Sequence, residues 1–497
     1  MKTFKRLGIW FSKDPDESTR LNYDTRLDKI KTILQIWNQR SLSWKGRIMI
    51  IKTLILPQVT HLFSMTFTPQ NFLVKLDKLI FSFLWRDKPP RIKRDTIIAS
   101  IEDGGLKMTD IHAFHQAQKV VCMKNLILEG EKVLNLLLTV TGVQKIILKH
   151  KLTLEYLNQF SCDPFHKQLL ECWFSIKSRQ PERKNTILNE YIFLNRFITV
   201  NNTLIWPKFL GLNHLFIDLK IHDILDANNN FCTPAEFEQK FNCSSNFLNF
   251  YSMLDAVPKI WKLKINAEPS NFCQLPDFSF MLDKNITTLN KITSKKVYWG
   301  IVNNTVKPPS VLSTWVDLFP FLENFNWQKI YTAVNKISKE PYLQSFQYKL
   351  INRTINCRYN LHKWKLLATS KCHYCQNIDT IEHHFYFCQT SRSFWNRVSI
   401  WLHKIIECFI DLSVCEVLFG IVNYCFGDRE TFDSLNLVIL LGKWYINACK
   451  INEKTLLMSP FISLVKDKLK ILKMNYTLTS DLKTFHERYG RLDTTLL

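Results

Sequence analysis

KCHYCQNIDTIEHHFYFCQ, residues Lys371–Gln389, sets Cys372, Cys375, His383 and Cys388 in the pattern C-x2-C-x7-H-x4-C. Three thiols and an imidazole in one short span suit zinc, which takes four Cys or His ligands in a tetrahedron. The x2 spacing lets two thiolates reach one ion from a single tight turn. The x4 spacing keeps the third thiolate little more than a helical turn from the imidazole. Against this stands chance clustering of buried thiols in a chain with 14 Cys. A thioredoxin-like redox pair fits less well, because no βαβ pattern precedes it and the further His and Cys would have no role. His384 is a rival ligand. His383 is preferred because His384, with Phe385 and Phe387, reads as wall, but spacing alone does not separate adjacent histidines. Four protein ligands close the site to water, which makes the expected ion structural rather than catalytic.

Outward from this stretch, the chain has 497 residues, enough for about three domains. Its formal net charge of +23 points to a polyanionic partner, nucleic acid before anionic membrane. No apolar run reaches the roughly eighteen residues that a spanning helix needs, so no membrane partner is expected. The basic N-terminal residues lack the apolar core of a signal peptide. The protein is therefore expected in the nucleus or cytoplasm and not in secretion, with its cysteines reduced or ligating metal. Asn-x-Ser/Thr triplets such as Asn242–Ser244 and Asn352–Thr354 read as chance in this Asn-rich chain.

The pattern elsewhere is mainly α-helical and multidomain. Phe4–Phe11 reads as a strand lacking its sheet. Leu27, Ile30, Leu34 and Trp37 share one face of a helix over Asp24–Asn38. Ser43 caps a second helix, with Lys45, Arg47 and Lys52 outward, ending at Pro57. A third helix, Leu73–Trp85, runs into a basic arm holding Arg86, Lys88, Arg91, Lys93 and Arg94. Pro89–Pro90 makes that arm extended, a form suited to phosphate contact. Another helix is expected from about Asp110 to Leu128. Patchy helical signals fill Thr139–Ser345 without a catalytic constellation, and Thr233 caps a short helix there. Lys349 and Arg353, four apart, are expected on one helix face before the zinc ligands. Trp364, Phe394, Trp395 and Trp401 flank those ligands. They serve either as core or as stacking platforms for single-stranded nucleic acid, and core is the commoner role for such residues. A capped helix from Ser459–Pro460 to Lys473 closes the pattern.

Together these stretches resemble the C-terminal part of the reverse transcriptase polyprotein of LINE-type (non-LTR) retrotransposons. FKRLGIWFS (Phe4–Ser12) is similar to the primer-grip strand that ends the palm. WNQRSLSWKGRIMIIKTLILPQV (Trp37–Val59) resembles the thumb signature. FLWRDKPPRIKRD and GGLKMTDI resemble the segment that follows. FQYKLINR and the Cys–His pattern resemble the zinc knuckle, and LFG with LNLVILLGKWYI the closing segment.

The resemblance implies four regions. These are a primer-grip strand with a thumb-like helical domain over 1–125, a helical linker over 126–345, a zinc-knuckle domain over 346–400 and a C-terminal helical segment over 401–497. It implies one structural zinc ion on Cys372, Cys375, His383 and Cys388. The implied partners are element RNA and primer–template duplex. The cations expected to meet them are Arg40, Lys45, Arg47, Lys52, Arg91, Lys93, Arg94, Lys349 and Arg353. The family's polymerase chemistry needs an Asp-Asp pair for two metal ions, and this sequence contains no Asp-Asp dipeptide. It is therefore read as a nucleic-acid-binding fragment, a truncated element copy or partial gene product, without catalysis of its own. The alternatives are part of an active polymerase whose palm lies upstream, and a domesticated adaptor protein.

Overall fold

The computed structural model describes residues 3–128, 134–135, 139, 145–159, 163–177, 179–267, 272–282, 285–406, 411–421 and 429–496. Stretches of the expected linker, such as 129–133 and 140–144, lie outside them. The fold is mainly α-helical and multidomain, with three two-stranded antiparallel hairpins among the described residues.

One compact unit comprises Met1–Gln35, Lys52–Ile80 and Asp110–Thr305. It opens on a hairpin rather than on one strand: Thr3–Arg6 pairs with Ile9–Ser12. Leu7 and Gly8 both adopt positive φ (48° and 82°), the geometry that folds a two-residue turn back with the right twist. The strand expectation missed this because Leu is a poor guide to a left-handed turn. Asn22 pins the hairpin, its Oδ1 accepting from Trp10 N at 2.9 Å and its Nδ2 donating to Trp10 O at 2.8 Å. The core of this unit gathers Trp173, Phe193, Phe237 and Trp261 with the helix Ile111–Leu128.

The second unit comprises Ile36–Ile51, Phe81–Thr109 and Val306–Leu497. Its core runs from Trp315 through Phe346, Phe385 and Trp395 to the helices Arg429–Ile451, Met458–Leu478 and Leu482–Leu496. Phe394 and Trp395 are buried in it (0% and 2% exposed), so these two rings are core and are shut off from any stacking base. Gly442 is one close-approach point of the unit. A Cβ there would lie 2.5 Å from the Trp395 ring, so a side chain would push the indole out of the core.

Ser43 caps its helix as expected, accepting from Gly46 N. The helix does not end at Pro57, however, and runs unbroken over Trp44–Met65. A π-helical turn at Ile51–Ile55 widens the backbone just before the proline. It accommodates the ring and the missing N–H that would otherwise break an α-helix. By length and composition Trp44–Met65 is apolar enough to cross a membrane, contrary to the sequence expectation. A third of its most apolar window is buried within the protein (33%), and single helices of this kind also occur in soluble cores.

Candidate metal centre and the adjoining cationic groove

The segment carrying the four ligands folds as two pieces brought face to face. The first is a tight turn. Cys372 N donates to Asn377 O at 2.7 Å and Gln376 N to Cys372 O at 3.0 Å. Gln376 turns the corner at φ 62°, and a bridge between Lys371 and Ile378 closes the loop. Cys372 and Cys375 thus project from one knuckle. The second piece is a π-helical turn, His383–Phe387, leading into the helix Gln389–Ile406. In an α-helix five residues rotate about 500°, which would leave His383 and Cys388 about 140° apart. The wider π turn instead joins i to i+5, and Cys388 N donates to His383 O at 2.9 Å.

Four donor atoms converge, all within 4.8 Å of one another. Cys372 Sγ lies 3.8 Å from Cys388 Sγ, Cys375 Sγ 4.0 Å from Cys388 Sγ, and His383 Nε2 3.2 Å from Cys375 Sγ. Zinc–sulfur bonds of about 2.3 Å at tetrahedral angles set sulfur–sulfur edges of about 3.8 Å. The sulfurs are thus too far apart for a disulfide and at the right separation for one shared ion. Cys372, Cys388 and His383 are buried and Cys375 is half-buried, so the donors form a shielded, closed set fitted to one structural zinc ion.

His384 is held elsewhere. Its Nδ1 pairs with the Asp379 carboxylate at 3.0 and 3.2 Å, and both side chains are 2% exposed. Burial lowers the His384 pKa while Asp379 opposes the shift. Asp379 also accepts from Arg358 N at 3.0 Å through its carboxylate and from Tyr359 N at 3.2 Å through its carbonyl. The module is thereby tied to the first turn of the helix Arg358–Lys363. The Lys450 ammonium is buried and has no hydrogen-bond partner among the described residues. Its charge favours the thiolate form of both Cys388, whose pKa the Cys372 hydrogen bond chiefly lowers, and Cys372, whose pKa the Cys388 hydrogen bond and burial raise. Three thiolates and a neutral imidazole around Zn²⁺ leave one net negative charge, which Lys450 is placed to balance.

Residues 310–395 match the family described as zinc-binding in reverse transcriptase. This reverse-transcriptase-type zinc-binding segment contains all four ligands. The chain is also 26% identical over 106 residues to an Arabidopsis thaliana protein whose name assigns it, provisionally, to ribonuclease H. That likeness covers 20% of this chain and 17% of the relative's length.

The cations singled out in the sequence are dispersed differently. Three of them, Arg47, Arg91 and Lys349, line one groove of about 410 Å³, together with Arg86 and Lys88 and with no acidic residue in its wall among the described residues. Arg47 is 1% exposed. It donates to Asn38 Oδ1 at 2.9 Å and to Phe83 O at 2.6 Å. Burial first, then Arg86, pushes its pKa down to about 10. Lys349 lies 4.8 Å over the Trp44 ring, and burial, then Arg91 and Arg86, lower its pKa. Arg91 stacks 3.8 Å from the Trp364 ring and reaches Asn356 Oδ1 at 3.3 Å. Trp364 is half-buried, and Lys363 and Lys365 beside it are exposed.

The remaining cations lie outside the groove. Arg353 does not share a face with Lys349, because the helix Pro341–Ile351 ends before it and Arg353 turns left-handed at φ 55°. Its guanidinium pairs with Glu382 and covers the Trp315 ring at 4.4 Å. Lys45 donates to Asn335 and Gln344 at 2.8 and 2.6 Å. Arg94 covers Phe81 at 4.4 Å, Arg40 covers Trp37 at 4.9 Å, and Lys93 is exposed. Lys52 is half-buried and belongs to the other compact unit. Arg86 and Lys88 stood in the basic run read from the sequence. Ser345 and Asn447, which also line the groove, carried no local signal, and Trp444 was read only as part of the closing segment.

Proposed function

We propose that this chain is the nucleic-acid-gripping, non-catalytic C-terminal portion of a LINE-type reverse transcriptase, binding RNA and primer–template duplex in the nucleus or cytoplasm. The observation that carries this reading is the zinc centre inside the reverse-transcriptase-type segment, joined through Asp379 to the helix that leads to Trp364. Arg91 on that ring pairs a phosphate-seeking cation with a stacking surface, the combination that single strands require. The net charge of +23 supplies the long-range attraction. The absence of an Asp-Asp dipeptide from the sequence supports a gripping rather than a copying role.

The test is binding of a fluorescent single-stranded RNA and of an RNA–DNA hybrid across a salt series. With about six phosphates neutralised, the log–log slope lies near −4 to −5. An affinity that barely moves with salt removes the proposal. Primer extension by the purified chain is expected to give no product, and a product would replace this reading with an active polymerase.

A further inference from the structure

Three residues that line the 410 Å³ groove each carry a buried polar atom with no hydrogen-bond partner among the described residues: Arg47 Nη2, Ser345 Oγ and Asn447 Oδ1. These residues are 1%, 6% and 9% exposed. Orphaned buried polar atoms are rare in native proteins and costly. A buried guanidinium beside a second arginine, Arg86, with no carboxylate in the wall among the described residues, is costlier still. Asp87 offsets part of that charge from outside the wall, where Ser82 Oγ engages it. The wall also holds four aromatic rings, Trp44, Trp85, Phe346 and Trp444, among aliphatic and small polar residues. The volume falls within the range of small-ligand sites.

A ligand that satisfies this wall carries an anion for Arg47, a flat apolar body for the rings, and a polar edge that donates to Asn447 Oδ1. We propose that the groove is a nucleotide site that takes one nucleoside phosphate. The phosphate lies on Arg47, Arg86, Arg91 and Lys349. The base lies against Trp44 and Trp444 with its N–H edge toward Asn447 and Ser345. The unit is either a free nucleotide or one residue of a strand, the second resting on the nucleic-acid reading above. The site differs from a general basic surface in that it demands a base as well as a charge.

The full chain is titrated with each ribonucleoside monophosphate, with inorganic phosphate and with a 12-nucleotide RNA, following tryptophan fluorescence and melting temperature. Monophosphates are expected to quench the fluorescence and raise the melting temperature, whereas phosphate alone does so at least about tenfold more weakly. Asn447→Leu and Arg91→Ala each weaken nucleotide binding by about tenfold, the worth of one charge-assisted or buried hydrogen bond, with zinc content and melting temperature of the free protein kept. Arg47→Ala risks unfolding, since Arg47 also holds Phe83 O, so these two variants decide. If RNA binds with steep salt dependence while no monophosphate binds and both variants match the wild type, the nucleotide site is wrong and the nucleic-acid reading stands. Monophosphates that bind without RNA leave the site standing and remove that reading. Phosphate binding as well as the monophosphates do reduces the site to an anion patch and overturns the proposal.

Discussion

The Nδ1 atom of His384 sits 3.0 Å from Asp379 Oδ2, and this pair assigns the two adjacent histidines. An imidazole locked to a buried carboxylate on one side of the turn leaves His383 to face the thiols. His383→Ala is therefore expected to abolish stoichiometric zinc, read by elemental analysis. His384→Ala keeps the ion and lowers stability by about 1–3 kcal/mol, because Asp379 is left buried and short of a partner. Loss of zinc in the second variant and not the first would reverse the assignment.

Chelation reaches further than the ligands. Asp379 anchors both His384 and the start of the helix before Trp364. Stripping zinc from a structural Cys and His site removes folding free energy directly. Treatment with a strong chelator is expected to lower the melting temperature of the unit and weaken RNA binding several-fold, with both restored by added zinc. RNA affinity indifferent to the metal would uncouple the module from the gripping surface.

Lys450→Met replaces a buried ammonium with an apolar side chain of similar length. The Zn²⁺–thiolate cluster then keeps its negative charge unbalanced, and Asp379, whose pKa Lys450 also helps lower, loses a neighbouring cation. Outer-shell changes of this kind typically cost 10–100-fold in metal affinity. Competition against a chromophoric chelator measures it, and an unchanged zinc affinity would show that Lys450 has no part in the site.

Trp364→Ala removes the ring on which Arg91 lies at 3.8 Å. Stacking on one base is worth about 1–3 kcal/mol, so single-stranded RNA affinity should fall about fivefold or more, with the salt slope kept. Trp364→Phe restores much of the loss. A salt slope that collapses together with affinity would mean that the ring only supports neighbouring charges.

Lys443 is fully enclosed, its Nζ donating to Gln347 Oε1 at 2.7 Å and Leu418 O at 3.0 Å. Burial pushes its pKa down to about 7 from the ordinary 10.5. Between those values the unfolded chain holds the extra proton, so stability rises with pH from about 7 toward 10.5. Lys443→Met flattens that rise. Melting temperatures between pH 7 and 9.5, wild type minus variant, isolate the effect from thiol titration. Parallel curves would mean that Lys443 stays charged in the folded state.

The ligand spacing, the Ser43 cap and the apolar faces were legible in the sequence because each rests on residues within a turn or two of one another. The basic run after Trp85 was not read correctly as an extended arm: Arg86 and Asp87 turn left-handed at φ 54° and 58°, and Arg94 opens the short helix Arg94–Ile98. The choice between His383 and His384 was not legible either. It depends on Asp379, Arg358 and Lys450, which meet only in the folded chain. Nor could sequence tell that Arg353 bonds Glu382 and that Lys45 bonds Gln344. A cation on a helix reads the same whether its far end meets water or a distant partner. The groove gathers Arg47, Arg91, Lys349 and Asn447 from stretches tens to hundreds of residues apart. Local chemistry chose the metal ligands; burial and long-range packing chose which charges were left facing a common space.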